Sequence, residues 1–228
     1  MPVKVTWHGH AAFTLDDGVD VVLIDPWFTG NPAATCGADE VAATLIVVTH
    51  GHRDHLGDAV EISRRVGAPI LAINELAIHL GRTADVQTLR GNIGGTLRWN
   101  GVAVKLVAAV HTSAIDTGDG FAAVTAAAGV VVRIGDKTIY HAGDTALFGD
   151  MRLIGDEVLD AAIVPIGGTY TMDARDAARA VELLRPGIVI PNHFDTFPQI
   201  RADPQEFADR VGGGARVKVL RPGGSLTI

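Results

Sequence analysis

The sequence predicts an α/β fold organised as a four-layer αββα sandwich, with two sheets face to face and helices on the outside. Three observations predict it. Short apolar runs bounded by glycine and aspartate turns dominate both halves of the chain, amphipathic helical stretches follow them, and this strands-then-helix order occurs twice. Such a pattern buries its apolar faces when two sheets stack and helices cover their outer surfaces. At 228 residues and 47% hydrophobic, the chain can enclose a sizeable core, read as one domain over residues 1–228.

In the first half, strands are expected at Val3 to Trp7, Ala11 to Leu15, Val19 to Ile24 and Leu45 to Val48, with Asp16-Asp17-Gly18 as hairpin punctuation. A helix over Asp58 to Val66 places Ala59, Val60, Ile62 and Val66 on one side and turns Glu61, Arg64 and Arg65 to water. Pro69 to Ile73 reads as a strand and Glu75 to Leu80 as a helix. In the second half, strands fall at Leu97 to Trp99, Val102 to Ala109, Phe121 to Ala127, Val130 to Ile134, Lys137 to His141 and Ala161 to Pro165. A helix over Asp173 to Leu184 stops at Arg185-Pro186-Gly187, and strand Ile188 to Pro191 follows. The tail adds a helix near Pro204 to Val211 and edge strands at Val217 to Leu220 and Ser225 to Ile228.

The chemistry concentrates right after the fourth strand. His50-Gly51-His52-Arg53-Asp54-His55 carries three imidazoles and one carboxylate within six positions. Imidazole nitrogen and carboxylate oxygen suit zinc, manganese or iron, and a catalytic site needs several such donors converging while one position stays open for water. A polar loop merely rich in histidine is the plain alternative, but His-x-His-x-Asp-His is much denser than chance supplies. His111, Asp144 and His193 each sit past the end of an expected strand, where placement is rigid and loops leave access. Singly, each reads as a turn or a packed residue; together with the cage they form a candidate ligand set.

Composition narrows the partners. A net charge of −7 with scattered signs leaves no broad basic surface for nucleic acid or an anionic membrane. No apolar run approaches the roughly 20 residues that span a bilayer, and Met1 to Trp7 leads into a strand, not a leader pattern. Cys36 is the only cysteine, so no intrachain disulfide forms and a cytoplasmic location is expected. With no histidine beside it in the sequence, Cys36 is expected to be a plain small residue.

The cage resembles the His-x-His-x-Asp-His signature of the metallo-β-lactamase superfamily, and His111, Asp144 and His193 occur in the order, and at the strand ends, of that superfamily's later ligands. More narrowly, Trp7-His8-Gly9-His10-Ala11, the stretch Ile24-Asp25-Pro26-Trp27-Phe28-Thr29-Gly30-Asn31-Pro32, Pro165 to Met172 and Ile190-Pro191-Asn192-His193-Phe194 look like segments of a bacterial and archaeal family of metal-dependent hydrolases similar to the ascorbate-6-phosphate lactonases. The likeness spans nearly the whole chain and is specific for fold and metal site, less so for substrate. It implies a sandwich of the metallo-β-lactamase type and two divalent metal ions as cofactors, zinc first, with manganese or iron as alternatives. Carried over by position, His50, His52 and His111 hold one metal, Asp54, His55 and His193 the second, and Asp144 bridges them. The implied activity is a binuclear metal-dependent hydrolase in which a metal-bridging hydroxide cleaves a small ester, lactone or amide. The alternatives are a metal-dependent phosphodiesterase or nuclease, and a metal-binding sensor without efficient turnover.

Several residues carry further expectations. Asp54 and His10 are the candidate catalytic side chains, Asp54 to orient the nucleophile and relay a proton, His10 on a hairpin able to overhang the cage. Asp25 matches the superfamily aspartate that accepts hydrogen bonds beneath the ligands, with a turn before Pro26 as the alternative. Gly168 and Thr169, after Gly167, offer backbone N–H groups to a substrate oxygen or form a simple loop. Gly57 lets the chain turn into the helix behind the cage, and Thr171 or Asp173 caps the helix that follows. Arg53 faces an anionic substrate group or water. His8 and His141 are expected to be packed on strands and His79 solvated on a helix. Trp27-Phe28 is read as a homo-oligomer surface or a lid, and the partner otherwise expected is a small-molecule substrate, with no membrane and no nucleic acid.

Overall fold

The computed structural model describes residues 1–116, 120–124 and 126–228. Tight turns fold the N-terminal segment into an antiparallel meander of β1 (Lys4–Gly9), β2 (Ala12–Asp16) and β3 (Val21–Ile24). β4 (Leu45–Val47), β5 (Ile70–Ile73) and β6 (Thr88–Gly91) then join in parallel. Parallel neighbours need long crossovers. α1 (Arg53–Leu56) and α2 (Ala59–Val66) supply one, α3 (Asn74–Thr83) the next.

The second sheet is built the same way. β7 (Thr96–Trp99), β8 (Val102–Ala108), β11 (Ala128–Ile134) and β12 (Lys137–His141) run antiparallel, with a β9 (Ala114–Asp116) and β10 (Phe121–Val124) hairpin set apart. β13 (Ala161–Pro165), β14 (Ile188–Asn192) and β15 (Arg216–Val217) extend it in parallel through α4 (Met151–Gly155), α5 (Ala174–Leu184) and α6 (Pro204–Val211). β16 (Ser225–Thr227) returns to pair with β1, so the sheets read β16-β1-β2-β3-β4-β5-β6 and β15-β14-β13-β12-β11-β8-β7.

The period-two alternation of the strands explains the layering. In the first sheet Val5, Trp7, Phe13, Leu15, Val22, Ile24, Leu45 and Val47 point inward to the core shared with Val104, Leu106, Val130, Val132, Ile139 and Ile163 of the second. Their neighbours Leu23, Ile46, Val48, Ile70 and Ala72 point outward, under Ala59 and Ile62 of α2 and Leu76, Ala77 and Leu80 of α3. Each valine, leucine, isoleucine or phenylalanine among them, fully buried, contributes about 1.5–3 kcal/mol. On the far side, Ala177, Ala180, Val181 and Leu184 of α5 and Phe207 of α6 cover the second sheet.

The expected elements recur with small shifts, and the departures have local causes. Asp173 takes the capping role at α5, accepting from the Asp176 N–H at 2.8 Å, whereas the Thr171 hydroxyl donates to the Met172 carbonyl at 3.4 Å. The edge strand expected over Val217 to Leu220 pairs only at Arg216–Val217. The strand read as Phe121 to Ala127 ends at Val124, and Thr125 lies outside the described residues. His79 is half-buried instead of solvated. Among the described residues no helix is long and apolar enough to cross a membrane.

Candidate metal centre

Loops that follow strand ends meet at one rim of the sandwich. His10 follows β1, Asp25 follows β3, His50 to His55 follow β4, His111 follows β8, Asp144 follows β12 and His193 follows β14. Strand termini hold such loops to the rigid sheet while the rim stays accessible, which is where open α/β sheets place their sites.

The donors form adjoining groups. One nitrogen each from His50, His52 and His111 lies within 4.8 Å of the others, and the donor atoms of His10, Asp54, His55 and His193 form a second such group. Asp144 stands between them: its Oδ1 is 3.3 Å from His55 Nε2, and its Oδ2 is 3.1 Å from His193 Nε2 and 3.6 Å from His111 Nε2. All seven cage residues expected from the sequence are thus brought together, and His10 joins them.

The protonation states suit a cation. Burial drives His50 well below the usual imidazole range and lowers His52 and His111, so all three present neutral nitrogens. Burial alone would raise Asp144, but His193 and His55 hold it well below the carboxylate range; Asp54 is lowered too, through the His10 hydrogen bond and His55. Burial opposes a charge on His55, yet Asp144 and Asp25, one at each ring nitrogen, push it well above the imidazole range. Its Nε2 proton then sits where a metal ion would displace it. Buried polar atoms seldom lack partners. Here His55 Nε2, Asp144 Oδ1 and His193 Nε2 are buried without a hydrogen bond and converge, which fits a metal ion as the missing partner.

The ring orientations are fixed from behind. Asp25, fully buried at φ +46°, accepts from His55 Nδ1 at 2.7 Å, from the Thr49 N–H at 2.8 Å and from the Thr49 hydroxyl at 2.7 Å. This carboxylate fixes the His55 tautomer and ties β3 to β4. Gly57 (φ +42°) is required where the chain turns behind the cage, because a Cβ there would lie 2.5 Å from the Pro26 carbonyl oxygen.

Other expectations are corrected. The Gly168 N–H is engaged by the Met172 carbonyl and so is turned into its own loop, and the Thr169 hydroxyl donates to the Gln199 carbonyl. Gly167 is needed because a Cβ would meet the His193 carbonyl at 2.3 Å. Trp27 and Phe28 are buried within their own chain and do not themselves form an exposed surface: Trp27 stacks on Phe197 at 5.6 Å and Phe28 meets the edge of His8. A histidine does stand beside Cys36, with His8 Nδ1 3.8 Å from its sulfur, but burial, Glu40 and Asp39 push the thiol pKa up, opposite to the shift that activates a thiolate. His141 is packed as expected, bonded to the Ala11 carbonyl.

Sequence reasoning missed the walls of the site. Thr196 Oγ1 lies 2.5 Å from His10 Nδ1, and Phe197 borders two cavities that meet at Asp54. One, about 270 Å³, is lined by His52, His111, Thr112, Asp144, Tyr170 and His193; the other, about 360 Å³, by Trp27, Thr29, Gly30 and Arg53. Thr196 and Phe197 sit past His193 in a stretch with no periodicity, and only their proximity to that histidine in sequence hinted at them.

Comparison with known proteins accords with this geometry. Residues 4–193 match the beta-lactamase superfamily domain. A UPF0173 metal-dependent hydrolase of Thermococcus kodakarensis is 46% identical over 229 residues, covering 99% of this chain and 100% of the relative. One from Thermus thermophilus is 45% identical over 227 residues, covering 99% of each. The solved structure of Igni18, a metallo hydrolase from Ignicoccus hospitalis, superposes with a TM-score of 0.90 at 39% identity over 100% of this chain and 99% of that one. The cage, the layered sheets and these relatives agree: the chain belongs to the beta-lactamase superfamily and, within it, to the UPF0173 metal-dependent hydrolases.

Proposed function

We propose that the chain is a binuclear hydrolase of a small ester, lactone or amide. The observation that carries this reading is Asp144, whose two oxygens face donors of both histidine groups and suit a bridge between two cations. Two divalent ions, zinc or else manganese or iron, would supply an activated water and polarise the substrate oxygen.

The chain's own residues do the rest. Asp54 opens onto both cavities, where a carboxylate oxygen can accept a proton and return it to a departing group. Phe197 and Trp27 form an apolar wall that excludes bulk water beside it. Tyr170 and Thr112 line the mouth over the cage and offer hydroxyls for orienting a substrate. The cavity of about 270 Å³ is of a size that suits a small molecule. A cytoplasmic setting fits a chain whose single cysteine can form no intrachain disulfide.

Arg53 favours a second reading. It is exposed beside Asp54 on the neighbouring cavity, where a guanidinium can meet a phosphodiester. A panel of short lactones, esters and amides against bis-p-nitrophenyl phosphate, each with and without a chelator, separates the two. Turnover on the carbonyl substrates that chelation abolishes is the expected result. Turnover confined to the phosphodiester moves the assignment to the second reading.

A further inference from the structure

We propose that His10 is a protein donor of the second metal site, joining Asp54, His55 and His193, with Thr196 holding its ring. The inference rests on the binuclear reading above and adds a ligand that the His-x-His-x-Asp-His pattern does not contain.

His10 is fully buried, and its Nε2 lies 3.0 Å from Asp54 Oδ2. Its donor atom belongs to the same cluster as those of Asp54, His55 and His193, all within 4.8 Å of one another. Two donors bound at about 2.1 Å and roughly at right angles on one ion stand about 3.0 Å apart, so the His10 to Asp54 separation is that of neighbouring ligands. The His193 and His55 nitrogens lie further from Asp54 Oδ2, at 3.8 and 4.0 Å, as donors on wider angles of the same ion would.

The far side of the ring supports this assignment. A metal-bound imidazole almost always gives its other N–H to an oxygen. His10 Nδ1 faces Thr196 Oγ1 at 2.5 Å, as His55 Nδ1 faces Asp25 and His50 Nδ1 faces Thr49 Oγ1 at 3.1 Å. A plain hydrogen bond from His10 to Asp54 requires the opposite tautomer, with the proton on Nε2 and Thr196 donating to Nδ1. The two arrangements place the Nε2 lone pair differently, and only the first leaves it free for a cation.

The backbone is an independent observation. His10 and His193 hold φ of +53° and +54°, a region that residues other than glycine rarely occupy and that clusters at functional sites. The His193 N–H donates to the His10 carbonyl at 3.1 Å, and the Trp7 indole donates to the same oxygen at 3.0 Å. The two imidazoles are thereby set 4.0 Å apart between centroids, with Trp27 and Phe197 edge-on to His10 at 5.0 and 5.5 Å. Packing alone would not demand two strained residues side by side; convergence of their nitrogens on one point does.

The test is diffraction from crystals of the full chain loaded with zinc and, separately, with manganese, at wavelengths bracketing each metal's absorption edge. The expected result is His10 Nε2 at about 2.1 Å from the second ion in at least one of them. A second ion held by Asp54, His55 and His193 with His10 beyond bonding distance in both overturns the inference and leaves the binuclear reading standing. A single ion at His50, His52 and His111 overturns both. Thr196→Val adds a readout in solution: the second ion is expected to bind about 10- to 100-fold more weakly in chelator competition, with the first unchanged. Undiminished affinity contradicts the role given to Thr196.

Discussion

In the proposed mechanism Asp54 has two roles, as a ligand and as a proton acceptor, and substitution separates them. Asp54→Ala is expected to lose the second metal and turnover together. Asp54→Asn keeps an oxygen for the cation but not the basic carboxylate, so part of the metal remains while turnover falls by about 10²- to 10⁴-fold. Metal analysis beside initial rates checks this, and an Asp54→Asn enzyme with full metal and full turnover contradicts the proton role. The candidate ligands were legible because four of them lie in one run of six positions and the others end strands. His10 was legible only as a residue on a hairpin. That its ring enters the donor cluster depends on how β1 and β2 close over β14, a long-range packing outcome with no local signature.

At the scale of elements, the site depends on how the segment after β3 and the loop after β4 lock together. Asp58 accepts from the Phe28 and Thr29 N–H groups at 2.7 and 2.9 Å, and its own N–H donates to the Pro26 carbonyl at 2.8 Å. Gly57 permits the approach that these bonds require. Gly57→Ala combines a backbone conformation suited to glycine with a Cβ 2.6 Å from Trp27 Cα, and is expected to cost about 2–5 kcal/mol. A denaturant titration measures it; a loss below about 1 kcal/mol means that the turn relaxes freely. The same lock explains why Trp27 and Phe28 looked like surface residues in the sequence: an aromatic pair in a loop carries no mark of the partner that buries it. β6 escaped notice because its half-exposed Thr-Leu-Arg-Gly lacks an apolar face, and α4 because five residues are too few to show helical periodicity.

The molecule as a whole couples stability to the protonation of its histidines. Burial lowers His8 and His10 from 6.5 to about 4, so the unfolded chain binds protons that the native chain refuses. Without metal, stability is therefore lost as pH falls from about 6.5 towards 4, by up to roughly 1.4 kcal/mol per pH unit for each histidine. His55 acts in the opposite sense: raised in the native state, it contributes stability below 6.5 that disappears as pH climbs through its folded value. The metal-free protein is thus expected to be most stable near pH 6.5, and bound metal, replacing the His55 proton, removes the alkaline decline. Urea midpoints across pH, with and without chelator, show this; a metal-free midpoint that keeps rising into the alkaline range contradicts it. The two-sheet sandwich itself was legible, since alternating strands and amphipathic helices declare which faces must be covered. The pairing of β16 with β1 was not, because three residues at the end of a chain do not name their neighbour.

The proposed hydrolase requires two metal ions with Asp144 between them, and the most direct measurement is the metal content of the purified, metal-loaded chain by inductively coupled plasma mass spectrometry, with turnover followed through chelation and readdition. Close to two ions per chain, with activity lost and restored in step, is the predicted result. One ion or none in a folded protein that still turns over substrate would contradict it.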